Sequence, residues 1–441
     1  MISGAVLVMP CVLLAWRLWD RRAALFCGVL IALHPTLIVF STAAMTESLY
    51  ALLLVLSLFL LVRYMQDGGR WAPVLIGAVL GLTYQTRQEA QFFLALAVIV
   101  ILLGRGGEGL KGILKVRVGR AVVVVVFFIL VNLPHAVLLH QKTGHWMSGS
   151  KASVNLSSPH IWQDGLERER YVYSLNKEGT GRRVEEIGRE NTAVVLWRQK
   201  GAIASEYFYK LDRGIDLIPF LLATPFLLFL VPLGLFGRRW NRGHRGAELV
   251  VLIMGIFPFL FYPIFRIDIR YVVPFLPLYL MWAARGCVVI VDWLRENVTP
   301  RPVPAAVVLL VVFLSLVPVT IRRYSWTRNS QPVEYAEIGR WIRENEGEGA
   351  RVLAHSGCSI GYYAGNPKAA FIPWTDVQGL LRYARYHDFD YLVVDENYIG
   401  TYRPTLIELL EGPRIRGLHE VRTFTRKTGG KIVLYRFEPV S

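Results

Sequence analysis

The chain has 441 residues, of which 54% are hydrophobic and 19% charged, and its mean hydropathy is positive. A soluble domain is about 45–50% apolar and about 25% charged, so this composition excludes an ordinary water-soluble globule and fits a multi-pass membrane protein with water-exposed parts. The net charge of +16 would suggest nucleic acid in a soluble protein; here the cations gather in short loops, and no nucleic-acid partner is expected.

Runs of roughly 17–25 apolar residues can span a bilayer. Ten are read here: about 2–16, 22–40, 46–64, 71–85, 88–104, 120–139, 217–236, 247–265, 271–291 and 303–320. The fourth and fifth meet at Thr86–Glu89, where Arg87 and Glu89 would be costly in mid-membrane. Two long hydrophilic stretches remain, 140–215 and 321–441. The expected division is a transmembrane domain over 1–320, with 140–215 as an outer loop, and a soluble α/β domain over 321–441.

Lysine and arginine stay on the cytoplasmic side of short loops. Loops 17–22, 63–70, 105–120, 238–245 and 292–302 carry 16 such residues, whereas 41–47, 86–89 and 266–270 carry three: Arg87, Arg266 and Arg270. The first set is therefore expected inside, and the second set, the 140–215 loop and the C-terminal part outside, in a cytoplasmic membrane. Ten spans then put the N terminus outside as well. Met1 leads straight into apolar residues without a charged n-region. The sequence reads as lacking an upstream helix.

Past Pro318 the text turns polar. An amphipathic stretch over 333–346 and the segment Asp376–His387 have helical spacing. Apolar, β-rich runs at 351–354, 370–373, 391–395, 421–425 and 432–437 alternate with them, the pattern of a small α/β domain. Gly357–Gly361 lacks the spacing of a nucleotide-binding fingerprint. Cys11, Cys27 and Cys287 lie in apolar runs and Cys358 has no near partner, which argues against a disulfide scaffold or a cysteine zinc site.

Polar residues at the outer boundary carry the chemistry. Thr46-Glu47-Ser48 opens the third run: Thr46 can cap a helix with Glu47 in its first turn, or Glu47 can face a cavity as a substrate or divalent-metal contact. Arg87 and Glu89 can pair with each other, Arg87 can snorkel, or its guanidinium can grip a phosphate. Thr143 to Lys151 combines glycines, hydroxyls, Trp146, His145 and Lys151 just above the membrane; solvated cations and an interfacial tryptophan explain it, as does a lipid-linked phosphate. Arg266-Ile267-Asp268-Ile269-Arg270-Tyr271 is the densest charge cluster, and is either a self-satisfied Arg–Asp pair or a functional one. Pro274 and Pro277 follow it and bend a helix or line a cavity.

These same residues carry a resemblance. Gly81 to Glu89 is similar to the GL-x-x-x-TRPE element of the membrane glycosyltransferases that use polyprenyl-phosphate sugars, among them protein O-mannosyltransferases and the lipid A aminoarabinose transferase. Gln88 stands where that element usually has proline. Pro35 with Met45-Thr46-Glu47 resembles the family's P…T-E/D element, Pro134 through Trp146 to Lys151 its P…TG-x-W…S-x-K element, and Arg270-Tyr271 with Pro274 and Pro277 its RY-x-x-P-x-x-P helix. The resemblance implies a GT-C fold with an outward-facing active site. There a sugar passes from a polyprenyl phosphate to a glycan, lipid or protein acceptor. It assigns Arg270 and Lys151 to the leaving phosphate with Arg87 behind them, and Glu47 to acceptor or metal contact. Glu89, His145, Arg266, Asp268 and Tyr271 complete the expected substrate site, beneath the C-terminal domain as a cap. The family's base, an aspartate of the first outward loop, has no match here. Two other classes compete: a transporter or flippase of lipid-linked sugars, and a non-catalytic membrane scaffold.

Overall fold

The computed structural model describes the chain apart from residues 1, 43–45, 105–109, 144–164, 182–191, 239, 241–242, 299–302, 330–332, 367–368, 412–414, 428 and 439–441. His145 and Lys151 lie outside the described residues. Contacts divide the chain into two units, Met1–Gly149 with Ala204–Asn329, and Ser150–Ile203 with Ser330–Ser441.

The first unit is helical: α1 (Ile2–Leu18), α2 (Arg21–Leu33), α3 (Pro35–Thr42), α4 (Glu47–Asp67), α5 (Ala72–Thr86), α6 (Ala90–Leu103), α7 (Leu110–Thr143), α8 (Lys200–Leu222), α9 (Pro225–Phe236), α10 (Arg245–Phe265), α11 (Ile269–Val272), α12 (Leu276–Asn297) and α13 (Val303–Asn329). Each of the ten apolar runs falls on a helix or a bent helix pair. Among the described residues five segments are long and apolar enough to cross a membrane, and α2–α3 and α8–α9 qualify as bent pairs. The apolar helices α1, α5 and α6 are shorter.

Local chemistry explains the breaks. Asp20 starts α2 by accepting the Ala23 amide at 2.8 Å. Pro35 lacks an N–H and ends that helix, so α3 leaves at 53°. At the second break Ala223 sits at φ 67, the Thr224 hydroxyl caps α9 and Pro225 opens it, turning the chain by 107°. Pro318, after which the sequence turns polar, lies inside α13. The tightest packing joins α9 and α12. A Cβ on Gly234 would run into the Trp282 carbonyl and one on Gly286 into the Leu230 carbonyl, so glycine permits a backbone approach typical of membrane helices.

The second unit holds a four-stranded sheet in the order β1 (Val352–Ala354), β2 (Tyr391–Asp395), β4 (Lys431–Phe437), β3 (Leu418–Thr425). β1 and β2 run parallel, and the other pairings are antiparallel. Alternate residues of β2 point to opposite faces. Leu392 and Val394 pack with Val377, Leu380 and Leu381 of one helix, and Tyr391 and Val393 with Ile338 and Ile342 of another. Those helices, Val377–Tyr386 and Val333–Glu346, lie where the periodicity predicts them. The expected strand at 370–373 is reduced to one bridge between Leu353 and Ala370, because Pro373 has no N–H to extend the ladder. Gly357–Tyr363 is a short helix.

Residues 165–181 of the expected outer loop pack in this unit. Glu169 accepts from Arg403 Nη1 at 3.1 Å and from the Tyr398 hydroxyl at 3.3 Å. Arg403 is fully buried and faces the rings of Tyr173, Trp374 and Tyr398.

Candidate functional site

The site forms where three helix ends of the first unit meet. Glu47 is the first residue of α4, but Thr46 makes no side-chain cap, so the expected capping role fails. Instead the Glu47 side chain turns inward and is fully buried. Its Oε1 accepts from Arg270 Nε at 2.9 Å and from Arg87 Nη2 at 3.3 Å. Its Oε2 is buried and, among the described residues, has no hydrogen-bond partner. Residues 40 and 223 positions apart in sequence are thus joined on one oxygen.

Arg87 caps the C-terminal end of α5. Its guanidinium lies 4.9 Å from the Tyr271 ring centroid and 5.6 Å from that of Tyr50, and Nη1 donates to the Arg270 carbonyl at 3.2 Å. With a side chain 10% exposed, it is a strut inside the site and not a surface cation. The alternative pairing of Arg87 with Glu89 does not form. Among the described residues Glu89 enters no ion pair within 4.0 Å and stands just before α6.

The 266–271 segment divides its charges. Arg266 Nη2 pairs with Asp268 Oδ2 at 3.0 Å, while Asp268 Oδ1 accepts the Arg270 amide at 3.2 Å and so opens α11. This capping aims Arg270 at Glu47. The Arg270 side chain remains 51% exposed, and among the described residues its two terminal nitrogens have no partner. Beside this segment lies Lys210, buried, with Nζ donating to the Phe265 carbonyl at 3.2 Å. The motifs contain no trace of Lys210. Its signal is spacing: Tyr207, Lys210 and Gly214, at i, i+3 and i+7, all meet the far end of α10 or the turn after it.

The cluster therefore gathers four cations (Arg87, Lys210, Arg266 and Arg270) against three carboxylates (Glu47, Glu89 and Asp268), with one guanidinium presenting free donors. That arrangement suits an anion, whose oxygens match the planar donor fork of arginine. It does not suit a divalent metal at Glu47. Two guanidiniums already occupy Oε1, and the described residues contain no group of three metal-ligating side chains.

Comparisons with known proteins agree on the fold. Residues 1–137 match the family described as dolichyl-phosphate-mannose-protein mannosyltransferase. No curated protein matches the chain. Among solved structures, ArnT from Cupriavidus metallidurans bound to undecaprenyl phosphate superposes with a TM-score of 0.52 at 14% identity, covering 99% of this chain and 82% of that one. The apo form of the same protein gives 0.50 at 13% identity with the same coverage. The chain thus has the fold of ArnT over its length, and its first 137 residues are similar to the mannosyltransferase family.

Proposed function

We propose that this chain is a membrane glycosyltransferase that moves a sugar from a polyprenyl-phosphate donor to an acceptor on the outer face of the cytoplasmic membrane. The observation that carries the reading is Arg270. It is anchored through Nε to a fully buried Glu47, and its terminal nitrogens are open to an anion. When an acceptor hydroxyl or amine attacks the anomeric carbon, the bond from that carbon to the phosphate oxygen breaks, the polyprenyl phosphate leaves with its negative charge, and the acceptor's proton passes to a carboxylate acting as general base. A fixed guanidinium there stabilises the developing charge, by about 2–4 kcal/mol once the bound substrate excludes water from it. Glu47 Oε2, buried and unpartnered, is the acceptor's hydrogen-bond partner. Arg87 and Asp268 hold the pair in place. The undecaprenyl phosphate bound by ArnT supports a lipid phosphate as the donor's leaving group. The site lies at the end of α4 away from the Lys/Arg-rich loops, which supports the outward orientation.

The full chain in proteoliposomes, given a panel of radiolabelled polyprenyl-phosphate sugars and an envelope extract as acceptor, tests this. Transfer from one donor, lost in Arg270→Ala, is expected. Undiminished transfer in that variant would remove the site assignment. The two broken helix pairs favour a second reading, since interrupted helices bind cargo in transporters. Counterflow of labelled lipid-linked sugar without any acceptor product would select it.

A further inference from the structure

At the opposite end of the helix bundle is a second polar site. α4 has 21 residues, so Glu47 and Asp67 are roughly 30 Å apart at about 1.5 Å per residue. At the far end Arg17 pairs with Asp67 at 2.5 Å and Arg22 with Asp292 at 2.6 Å. A cavity of about 310 Å³ lies beside them, with Trp19, Asp20, Arg238, Glu248, Arg285 and Val288 in its wall. It has space for roughly ten water molecules.

Its wall is unusual for membrane depth. Arg285 Nη1 and Glu248 Oε2 form a buried ion pair at 3.0 Å, and intramembrane charges mark functional sites by default. Arg285 lies seven residues inward of Asp292 on α12, roughly 10 Å along the axis. Arg238 is half-exposed and reaches Asp20 and Asp292 at 3.9 and 3.7 Å. Among the described residues the buried Trp19 indole N–H has no acceptor, a loss of about 1–3 kcal/mol unless a bound oxygen meets it.

We propose that this cavity binds the headgroup of a zwitterionic aminophospholipid, phosphatidylethanolamine, from the leaflet on the Lys/Arg-rich side. The wall holds two carboxylates and two guanidiniums, so a simple anion meets as much repulsion as attraction. An apolar molecule would leave the charged wall unsatisfied. A phosphate and a primary ammonium on one headgroup match both signs: phosphate oxygens accept from Trp19 Nε1 and Arg238, and the ammonium donates to Asp20, with the Glu248–Arg285 pair as the inner wall. Choline lacks N–H donors for the acids, and glycerol lacks the cation. The site lies beside the loops 17–22 and 238–245, at the level where headgroups are found.

Native mass spectrometry of the full chain released from nanodiscs of equal phosphatidylethanolamine, phosphatidylcholine and phosphatidylglycerol tests the proposal. One phosphatidylethanolamine per chain should be retained, at least tenfold over either competitor. Val288→Phe fills the apolar wall and should abolish retention. Trp19→Phe keeps the ring, loses the N–H and should weaken retention severalfold. Equal retention of the three lipids would overturn the proposal, as would retention unchanged in Val288→Phe, or water alone in the cavity. Soluble phosphoethanolamine that binds where the lipid does not would overturn the lipid assignment.

Discussion

Two buried carboxylates sit at opposite ends of one helix bundle and are used differently. Glu248 faces Arg285, and both side chains are withdrawn from solvent. Glu47 is as deeply buried, yet one of its partners, Arg270, is half-exposed and keeps its outer donors free. A closed pair spends its charges on each other; an open one transmits the acid's position to a cation that can still meet a substrate. Burial of an ion pair is weak evidence of stability or of function. The decisive feature is which hydrogen-bonding groups remain uncommitted.

The contrast yields a graded series. Arg285→Ala removes the guanidinium that faces the buried Glu248 and should destabilise the chain by about 3–5 kcal/mol, read as a large drop in the thermal unfolding midpoint. Arg270→Ala should cut sugar transfer by the equivalent of about 2–4 kcal/mol while leaving that midpoint nearly unchanged. A large midpoint shift in Arg270→Ala would erase the distinction between the two ends. Asp268→Ala removes the α11 cap, with a stability cost of about 1 kcal/mol. It should also lower transfer, because Arg270 loses its aim, and Asp268→Asn should restore part of the cap.

The smallest effect belongs to the second unit and serves as a control. Burial, with Arg403 and Arg426 adding to it and Glu169 and Asp395 opposing it, holds the His355 imidazole below its usual range. The folded state then binds fewer protons than the unfolded one, so stability is present above the unfolded value of about 6.5. It falls as pH drops through and below that value. His355→Gln should flatten the acid limb of the unfolding midpoint without altering the dependence of transfer on Arg270.

Much of this was legible in the sequence. The ten apolar runs, the amphipathic helix at 333–346 and the helix within Asp376–His387 follow from apolar length and periodicity, because burial in lipid or against a sheet imposes one period. Arg87 stood out as a charge too costly for mid-membrane, Glu47 as an acid at a helix start, and Arg270 as part of the densest charge cluster. Their meeting on a single carboxylate oxygen was not readable, since it depends on how α4, α5 and α11 pack. Lys210 was not singled out because its helix is polar on other faces and the acceptor it meets is a backbone carbonyl. Arg403 and Glu169 were hidden for a similar reason: a buried cation ringed by aromatics leaves no local pattern.

The most direct test of the central claim is equilibrium binding of undecaprenyl phosphate to the purified full chain, wild type against Arg270→Ala and Arg285→Lys. The account predicts at least tenfold weaker binding in Arg270→Ala and unchanged binding in Arg285→Lys. Equal affinity in wild type and Arg270→Ala would contradict it.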